Sequence, residues 1–247
     1  MLRQKVELTL NTLLTALRRI GGGDPHPVFA GGLRYVPPSA TAGVNRAAFE
    51  ELSEFGFTQG DGFVSDFEDV LYILDRPQTE YFAYVRAKSE QYSVLVAVRG
   101  RTAVTAVCQG EQVWLKEAGE DQPSALVAHL PEYRPASFKP FSLSQEDFNR
   151  QEIDDLYESS PARSREAREL DEVFQQPYYG LGELHVARRA GSTRTETQDT
   201  LTYLDIDAGR VAIAMTGHPG NKYISVSPGE PGLLTQRLSS LRAGLDD

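Results

Sequence analysis

The side chains that could carry out catalysis or hold a metal are few and scattered in this chain of 247 residues. The single cysteine, Cys108, falls in phase with Val104 and Ala106 in a predicted strand, which indicates a small buried residue and not a nucleophile. No two histidines have the spacing of a helical metal site. The four are His26, His129, His185 and His218. The sequence therefore predicts neither a metal site nor a cysteine-based reaction.

Glycine-rich and acidic stretches give no catalytic pattern either. Residues 21–23 end a predicted helix and residues 180–182 begin a strand, and neither has the Lys-Ser or Lys-Thr of a phosphate-binding loop. Acidic clusters at residues 50–51, 152–155 and 246–247 lie on predicted exposed helix faces or the chain end, as solvated carboxylates do. We expect no cofactor, no metal and no enzymatic activity. The alternative is a small-molecule enzyme on an α+β scaffold.

Charge and composition restrict the class of partner. The formal net charge of −10 argues against non-specific binding to DNA or RNA, which requires a basic surface. No apolar run approaches the length of a membrane span, and Lys5 and Glu7 interrupt the first apolar residues, unlike a signal peptide. One cysteine excludes an internal disulfide. We predict an acidic cytoplasmic protein that neither binds nucleic acid nor inserts into a membrane.

Period-two patterns predict two meanders of four strands each, because alternating apolar residues indicate half-buried strands. The first comprises residues 81–87, 92–98, 102–108 and 112–116, with glycine in its last two turns. The second comprises residues 181–188, 200–206, 210–215 and 222–226. The near-continuous apolar run at 210–215 predicts a central strand covered on both faces.

Helical patterns flank both meanders. Predicted helices cover residues 13–20, 45–55, 65–74 and 123–130 in the first half, and residues 144–157 and 161–174 in the second. Ser65 and Ser227 begin predicted capping boxes, either Ser142 or Ser144 is a further predicted cap, and Ser160 is another. Residues 6–10 are either a short strand or the lead-in to the first helix, and residues 28–29 and 33–35 are possible short strands. The last helix carries an apolar stripe that must be buried, made of Leu233, Leu234, Leu238, Leu241 and Leu245.

The two halves, at approximately residues 1–134 and 135–247, repeat one order of elements: helix, helix, four-strand meander, helix. We therefore predict an α+β fold with a central antiparallel β-sheet shared by two pseudo-symmetric halves and flanked by helical bundles. Residues 1–247 would then form a single domain.

Large side chains in the predicted strands are candidates for a binding surface. Trp114, Tyr203 and Tyr223 either remain exposed as anchors for a partner or pack under the helices. Three arginines in or beside strands either bind partner carbonyls or form salt bridges within the sheet. They are Arg86, Arg188 and Arg210.

The order and spacing of four segments resemble the EspG family of type VII (ESX) secretion chaperones. These segments are residues 5–9 before a leucine-rich helix and a glycine-rich break, residues 81–104, residues 135–143, and residues 209–229 with the last helix. The resemblance implies a chaperone or adaptor that holds a helical secreted protein of the PE/PPE or WXG type by its hydrophobic tip before export.

The same resemblance implies where the partner binds. In the family, the contacts come from the loop between the first two long strands, from the sheet and from the C-terminal helical region. In this sequence that loop is short and corresponds to residues 88–91. The predicted partner-binding residues are Tyr84, Arg86, Lys88, Ser89, Glu90, Gln91, Tyr92, Arg188 and Tyr203.

Overall fold

The computed structural model describes residues 2, 4–32, 35–88, 90–150, 164–218 and 220–246. Residues 151–157 of the predicted helix 144–157, the predicted cap at Ser160 and residues 33–34 of the possible strand 33–35 lie outside this range. The helices within it are α1 Leu10–Arg19, α2 Pro38–Glu54, α3 Ser65–Asp75, α4 Gln122–Val127, α5 Gln145–Asn149, α6 Arg165–Gln175 and α7 Pro231–Ala243. None of them is long and apolar enough to cross a membrane.

The strands of the two meanders begin and end close to the predicted positions, and the structure adds four short strands that were not predicted. In the first half they are β1 Val6–Thr9, β2 Thr58–Gln59, β3 Gly62–Phe63, β4 Thr79–Ala87, β5 Glu90–Arg99, β6 Thr102–Gln109 and β7 Gln112–Glu117. In the second half they are β8 Phe141–Ser144, β9 Tyr178–Ala190, β10 Thr193–Glu196, β11 Thr200–Ile206, β12 Gly209–His218 and β13 Asn221–Pro228.

Both meanders join through β4 and β9 into one antiparallel sheet, as predicted. The strand order is β1-β7-β6-β5-β4-β9-β11-β12-β13-β8, and β10 pairs with β9. On one side of the β4–β9 pair lie the other strands of the first meander and then β1, the first strand of that half. On the other side lie the other strands of the second meander and then β8, the first strand of its half. This mirrored order confirms the α+β fold with two pseudo-symmetric halves.

Successive strand residues point to opposite sides of the sheet and enter different cores. On one side, which we call the α4–α7 face, Tyr81 and Leu201 pack under α4 and α7 across both halves. On the other side, the bundle face, Phe82 packs with α1 and α3, whereas Ile206 packs with α6. The bundle face is therefore covered by two separate groups of helices, one for each half.

Two of the predicted helix caps, at Ser227 and Ser65, are wrong. Ser227 pairs with Ala212 inside the sheet, so α7 begins only at Pro231, after Glu230 and without a side-chain cap. No side chain caps α3 either, since Val64 occupies the N-cap position. Of the two predicted alternatives, Ser144 caps α5, because its hydroxyl accepts a hydrogen bond from the Asp147 backbone N–H at 3.0 Å.

The structure also shows which of two short apolar segments forms a strand. Residues 6–9 form β1, which pairs with β7 at the edge of the sheet. Val28 and Phe29 lie in the 3₁₀ helix Pro27–Gly32, so the predicted strand there is wrong. Phe29 is fully buried in the core of the first half, which explains its apolar character without a strand.

Candidate functional site

Among the residues that the structure describes, the two groups of helices on the bundle face leave part of the sheet accessible. We call this part the open face and define it by Tyr84, Arg86, Leu181, Glu183 and Thr202. Arg86 pairs with Leu181, Tyr84 pairs with Glu183, and Glu183 pairs in turn with Thr202, so the five side chains are neighbours on one side of the sheet. Arg86 and Glu183 are exposed, and the other three are half-buried. The open face thus combines apolar surface with one cation and one anion.

The open face continues into an apolar cavity of about 310 Å³ under α5 and α6. Leu181 and Thr202 belong to both surfaces. Phe174 of α6 forms part of the cavity wall and is 50% exposed, which is unusual for so large an apolar side chain. Its ring lies 6.0 Å from that of Phe148. Together these groups offer a partner a site for an apolar side chain.

The tip of the β4–β5 hairpin is short and attached to the rest of the sheet. Lys88 has a positive φ of 49°, and its backbone N–H donates a hydrogen bond to the Tyr179 carbonyl at 2.9 Å. Tyr178 and Tyr179 are both exposed at this point. The Tyr179 hydroxyl donates to Asp207 Oδ1 at 2.6 Å, which also fixes the neighbouring β11–β12 turn. The hairpin tip and the start of β9 therefore form one surface.

The structure divides the predicted partner-binding residues between the two sides of the sheet. Tyr84, Arg86 and Gln91 point to the bundle face, since Arg86 pairs with Gln91 beside the open face. Lys88 and Glu90 are exposed at the hairpin tip, and Ser89 lies outside the described residues. The remaining three point to the α4–α7 face. They are Tyr92, Arg188 and Tyr203.

Tyr203 is fully buried, so the expectation that it is an exposed anchor is wrong. Gly182 on β9 makes room for its ring, because a Cβ there would lie 2.0 Å from Tyr203 Cε1. The Arg210 guanidinium covers the ring at 4.1 Å. Burial raises the pKa of the Tyr203 hydroxyl far above its usual range. Tyr203 is therefore part of the core on the α4–α7 face, to which both halves contribute residues.

Arg188 and Tyr92 are also removed from the open face. Arg188 lies at the far end of β9, where it forms an ion pair of 2.6 Å with Asp246 after α7. The Tyr92 hydroxyl donates to the His129 carbonyl at 2.7 Å, and burial raises its pKa to about 12. Grouping either residue with Arg86 in one surface is therefore wrong.

Of the other aromatic candidates, Tyr223 is exposed, whereas Trp114 is half-buried. Trp114 lies between Lys5, whose ammonium group is 4.4 Å from the ring centre, and the ring of His129. Arg210 adopts the salt-bridge alternative, with Asp205 as its partner.

Comparison with known proteins decides the family. The model of the EspG family matches residues 9–240 of this chain. The chain belongs to the EspG family.

Solved structures agree with this assignment at the level of the fold. One match is the type VII secretion system chaperone EspG5 of Mycobacterium tuberculosis, in complex with the PE25–PPE41 dimer. It superposes on this EspG-family chain with a TM-score of 0.71 at 14% sequence identity, covering 96% of this chain and 95% of that one. No curated protein sequence matches.

Ionisable side chains of this EspG-family chain converge around Glu80 of β4. Glu80 Oε2 lies 3.1 Å from His26 Nε2 and 2.7 Å from Arg194 Nε, and Glu80 Oε1 lies 3.9 Å from Arg189 Nη2. The Val28 N–H donates to His26 Nδ1 at 3.2 Å, so Nε2 carries the proton that is donated to Glu80. Among the described residues, no three His, Cys, Asp or Glu side chains are placed to hold a metal ion.

The Glu80 carboxyl is held in its ionised form. Burial alone raises its pKa, but the hydrogen bonds from His26 and Arg194 and the positive charge of Arg194 outweigh burial and place the pKa below the ordinary value of 4.5. A carboxylate with this environment is a poor proton donor at neutral pH. The cluster therefore acts as an ion network that attaches the segment around His26 to the sheet.

Protonation of Glu80 at low pH should lower the stability of the folded protein. Because its pKa is lower in the folded than in the unfolded protein, ionised Glu80 contributes stability that is present above about pH 4.5 and is lost as the pH falls through the folded value. Urea unfolding over a series of pH values measures this effect. The free energy of unfolding should fall less steeply with decreasing pH for Glu80→Gln than for the wild type. Equal slopes in the two proteins would contradict this assignment.

Two features of the surface were missed by sequence reasoning. Phe174 lies at the end of the predicted helix 161–174, and the structure leaves it exposed while Leu170 is fully buried. Tyr178 and Tyr179 precede the predicted strand at residues 181–188, and the structure includes both in β9. The sequence contains a signal for this exposure. Adjacent residues of a strand point to opposite sides of the sheet, so two neighbouring tyrosines are seldom both buried.

Proposed function

We propose that this EspG-family chain is a cytoplasmic chaperone that binds a helical PE/PPE-type protein and keeps it soluble before export by a type VII secretion system. The family assignment over residues 9–240 carries the proposal. It is supported by the shared fold with EspG5, whose structure contains the PE25–PPE41 dimer. The sheet that runs through both halves supports residues 1–247 acting as one domain. The role involves no catalytic step and no cofactor.

The open face is the surface that we assign to the partner. A helical tip presents apolar side chains together with backbone groups that have no partner within the helix. Leu181 and the cavity beside it accept the apolar side chains, while Arg86 can donate to free helix carbonyls and Glu183 can accept from free N–H groups. Covering such a tip lowers the concentration of the aggregation-prone free form by mass action.

Co-expression tests the proposal. PE/PPE-type proteins encoded beside this chain should be insoluble alone and soluble when the chain is produced with them. The soluble complex should form without added nucleotide and should persist in chelator. Equal insolubility of every such protein with and without the chain would rule out the chaperone role.

Shortening Phe174 should weaken the complex. Truncation of an aromatic anchor at an interface typically costs about 2 kcal/mol, which corresponds to roughly 30-fold in Kd. Phe174→Ala should therefore bind its partner about that much more weakly in a calorimetric titration. Tyr72→Ala is a matched control, because Tyr72 is 45% exposed but lies on α3 and outside the cavity wall. Similar affinities for the two variants would exclude Phe174 from the interface.

Reversing the charge at Lys88 should act on the rate of association. Lys88 is exposed at the hairpin tip, where a charge steers encounter and is screened by salt. In stopped-flow measurements, Lys88→Glu should change the association rate constant and its salt dependence, with little effect on dissociation. A change confined to the dissociation rate would place Lys88 inside the interface instead of at its edge.

A further inference from the structure

A second cavity lies at the opposite end of β4 from the hairpin tip. Its volume is about 610 Å³, and it is bordered by the segment around His26, the end of α3 and the β9–β10 turn. Glu80, Arg189 and Arg194 line it, so the ion network described above faces this space. The cavity is separate from the open face and from the apolar cavity beside Phe174.

Three polar atoms of the network have no hydrogen-bond partner. Glu80 Oε1, Arg189 Nε and Arg194 Nη2 are all buried and unpaired within the described part of the chain. The Glu80 side chain is buried, and its Oε1 lies 3.9 Å from Arg189 Nη2, which is beyond hydrogen-bond distance. Buried polar groups are paired in most native proteins, and an unpaired charged group is costly. Three such atoms beside one cavity indicate a group that binds there.

The unpaired atoms specify the chemistry of that group. Glu80 Oε1 requires a donor, and the two guanidinium N–H groups require acceptors. The charged side chains that line the cavity balance one another, so a ligand without net charge fits best. They are the carboxylates of Asp24, Asp75 and Glu80 and the guanidinium groups of Arg76, Arg189 and Arg194. A zwitterion provides all of this, since its ammonium group donates to the carboxylate and its carboxylate accepts from two arginines.

We propose that the cavity beside Glu80 binds a small zwitterion of the amino-acid type. The ammonium group lies against Glu80 Oε1, the carboxylate contacts Arg189 and Arg194, and the rest of the cavity leaves room for a side chain. This inference does not depend on the chaperone role, because the cavity and the open face are different surfaces. Binding at this site would attach the His26 segment more firmly to β4 and β9.

Isothermal titration calorimetry with glycine, glutamine and glycylglycine tests the proposal. At least one of these zwitterions should bind at concentrations up to about 10 mM, the weak range expected for so few contacts. Acetate and methylamine, which each carry only one of the two charges, should bind more weakly than the best zwitterion. If no zwitterion binds, or if acetate binds equally well, the proposal is wrong.

Two adjacent arginines provide a matched pair of variants. Arg189→Gln should weaken binding about tenfold or more through loss of a charge-assisted hydrogen bond. Arg188→Gln should leave it unchanged, because Arg188 points to the α4–α7 face and pairs with Asp246. Glu80→Gln should also weaken binding, and Arg189→Gln remains informative if that variant fails to fold. Wild-type affinity in Arg189→Gln would overturn the assignment of the site.

Discussion

Replacing Arg210 by alanine is expected to lower the free energy of unfolding by about 3–5 kcal/mol, because it leaves a buried carboxylate without its partner. Arg210 Nε and Nη2 donate to the two oxygens of Asp205 at 2.7 and 2.8 Å. Both side chains are almost completely buried. Removal of the guanidinium would also uncover the ring of Tyr203.

Arg210 also holds the segment that joins the two halves. Its Nη2 donates to the Pro131 carbonyl at 2.8 Å, and its backbone N–H donates to the Arg134 carbonyl at 2.7 Å. The preceding Gly209 has a φ of +120°, and a Cβ there would lie 2.6 Å from the Ala136 nitrogen. The connection therefore approaches β12 too closely for any other residue at position 209.

Urea unfolding of three variants tests the role of Arg210. Arg101→Ala is the control, since Arg101 is exposed in a turn and its loss should change stability by no more than about 0.5 kcal/mol. The double variant with Arg210→Met and Asp205→Leu should recover much of the loss, because it removes both charges together. If Arg210→Ala is as stable as Arg101→Ala, the ion pair does not hold the connection.

The second large effect is expected at the last helix. Leu238 is fully buried against the α4–α7 face, so Leu238→Ala should cost about 2–5 kcal/mol through lost burial and the cavity that remains. Leu241 was predicted to be buried as well but is only half-buried, and Leu241→Ala should cost clearly less. Thermal unfolding of both variants measures the difference. Unchanged melting temperatures would mean that α7 does not dock on the sheet.

The sequence was most informative about the strands of the two meanders. Residues 200–206 were predicted with the bounds of β11, and their alternation correctly separates Leu201 and Tyr203 from Leu204 and Ile206. β10 was missed because its sequence, Thr-Arg-Thr-Glu, has no apolar residue to show a period of two. β8 was missed because it has only four residues. Both depend on pairing with a longer strand.

The candidate site was harder to predict, because it depends on register between distant strands. A period of two tells which residues of one strand share a side, but not which side of β9 matches which side of β4. For this reason Arg188 was grouped with Arg86, although the two point to opposite faces. The network around Glu80 joins residues from positions 26 to 194, and its members have no common local pattern.

Size-exclusion chromatography of the purified chain with a purified PE/PPE-type heterodimer tests the central claim most directly. The experiment should use protein free of nucleotide and metal, with chelator present, and light scattering to determine the mass of each peak. The chaperone role predicts one stoichiometric complex that Phe174→Ala weakens and Tyr72→Ala leaves intact. Separate elution of the chain from every such heterodimer, together with turnover of a small metabolite by the chain alone, would contradict it.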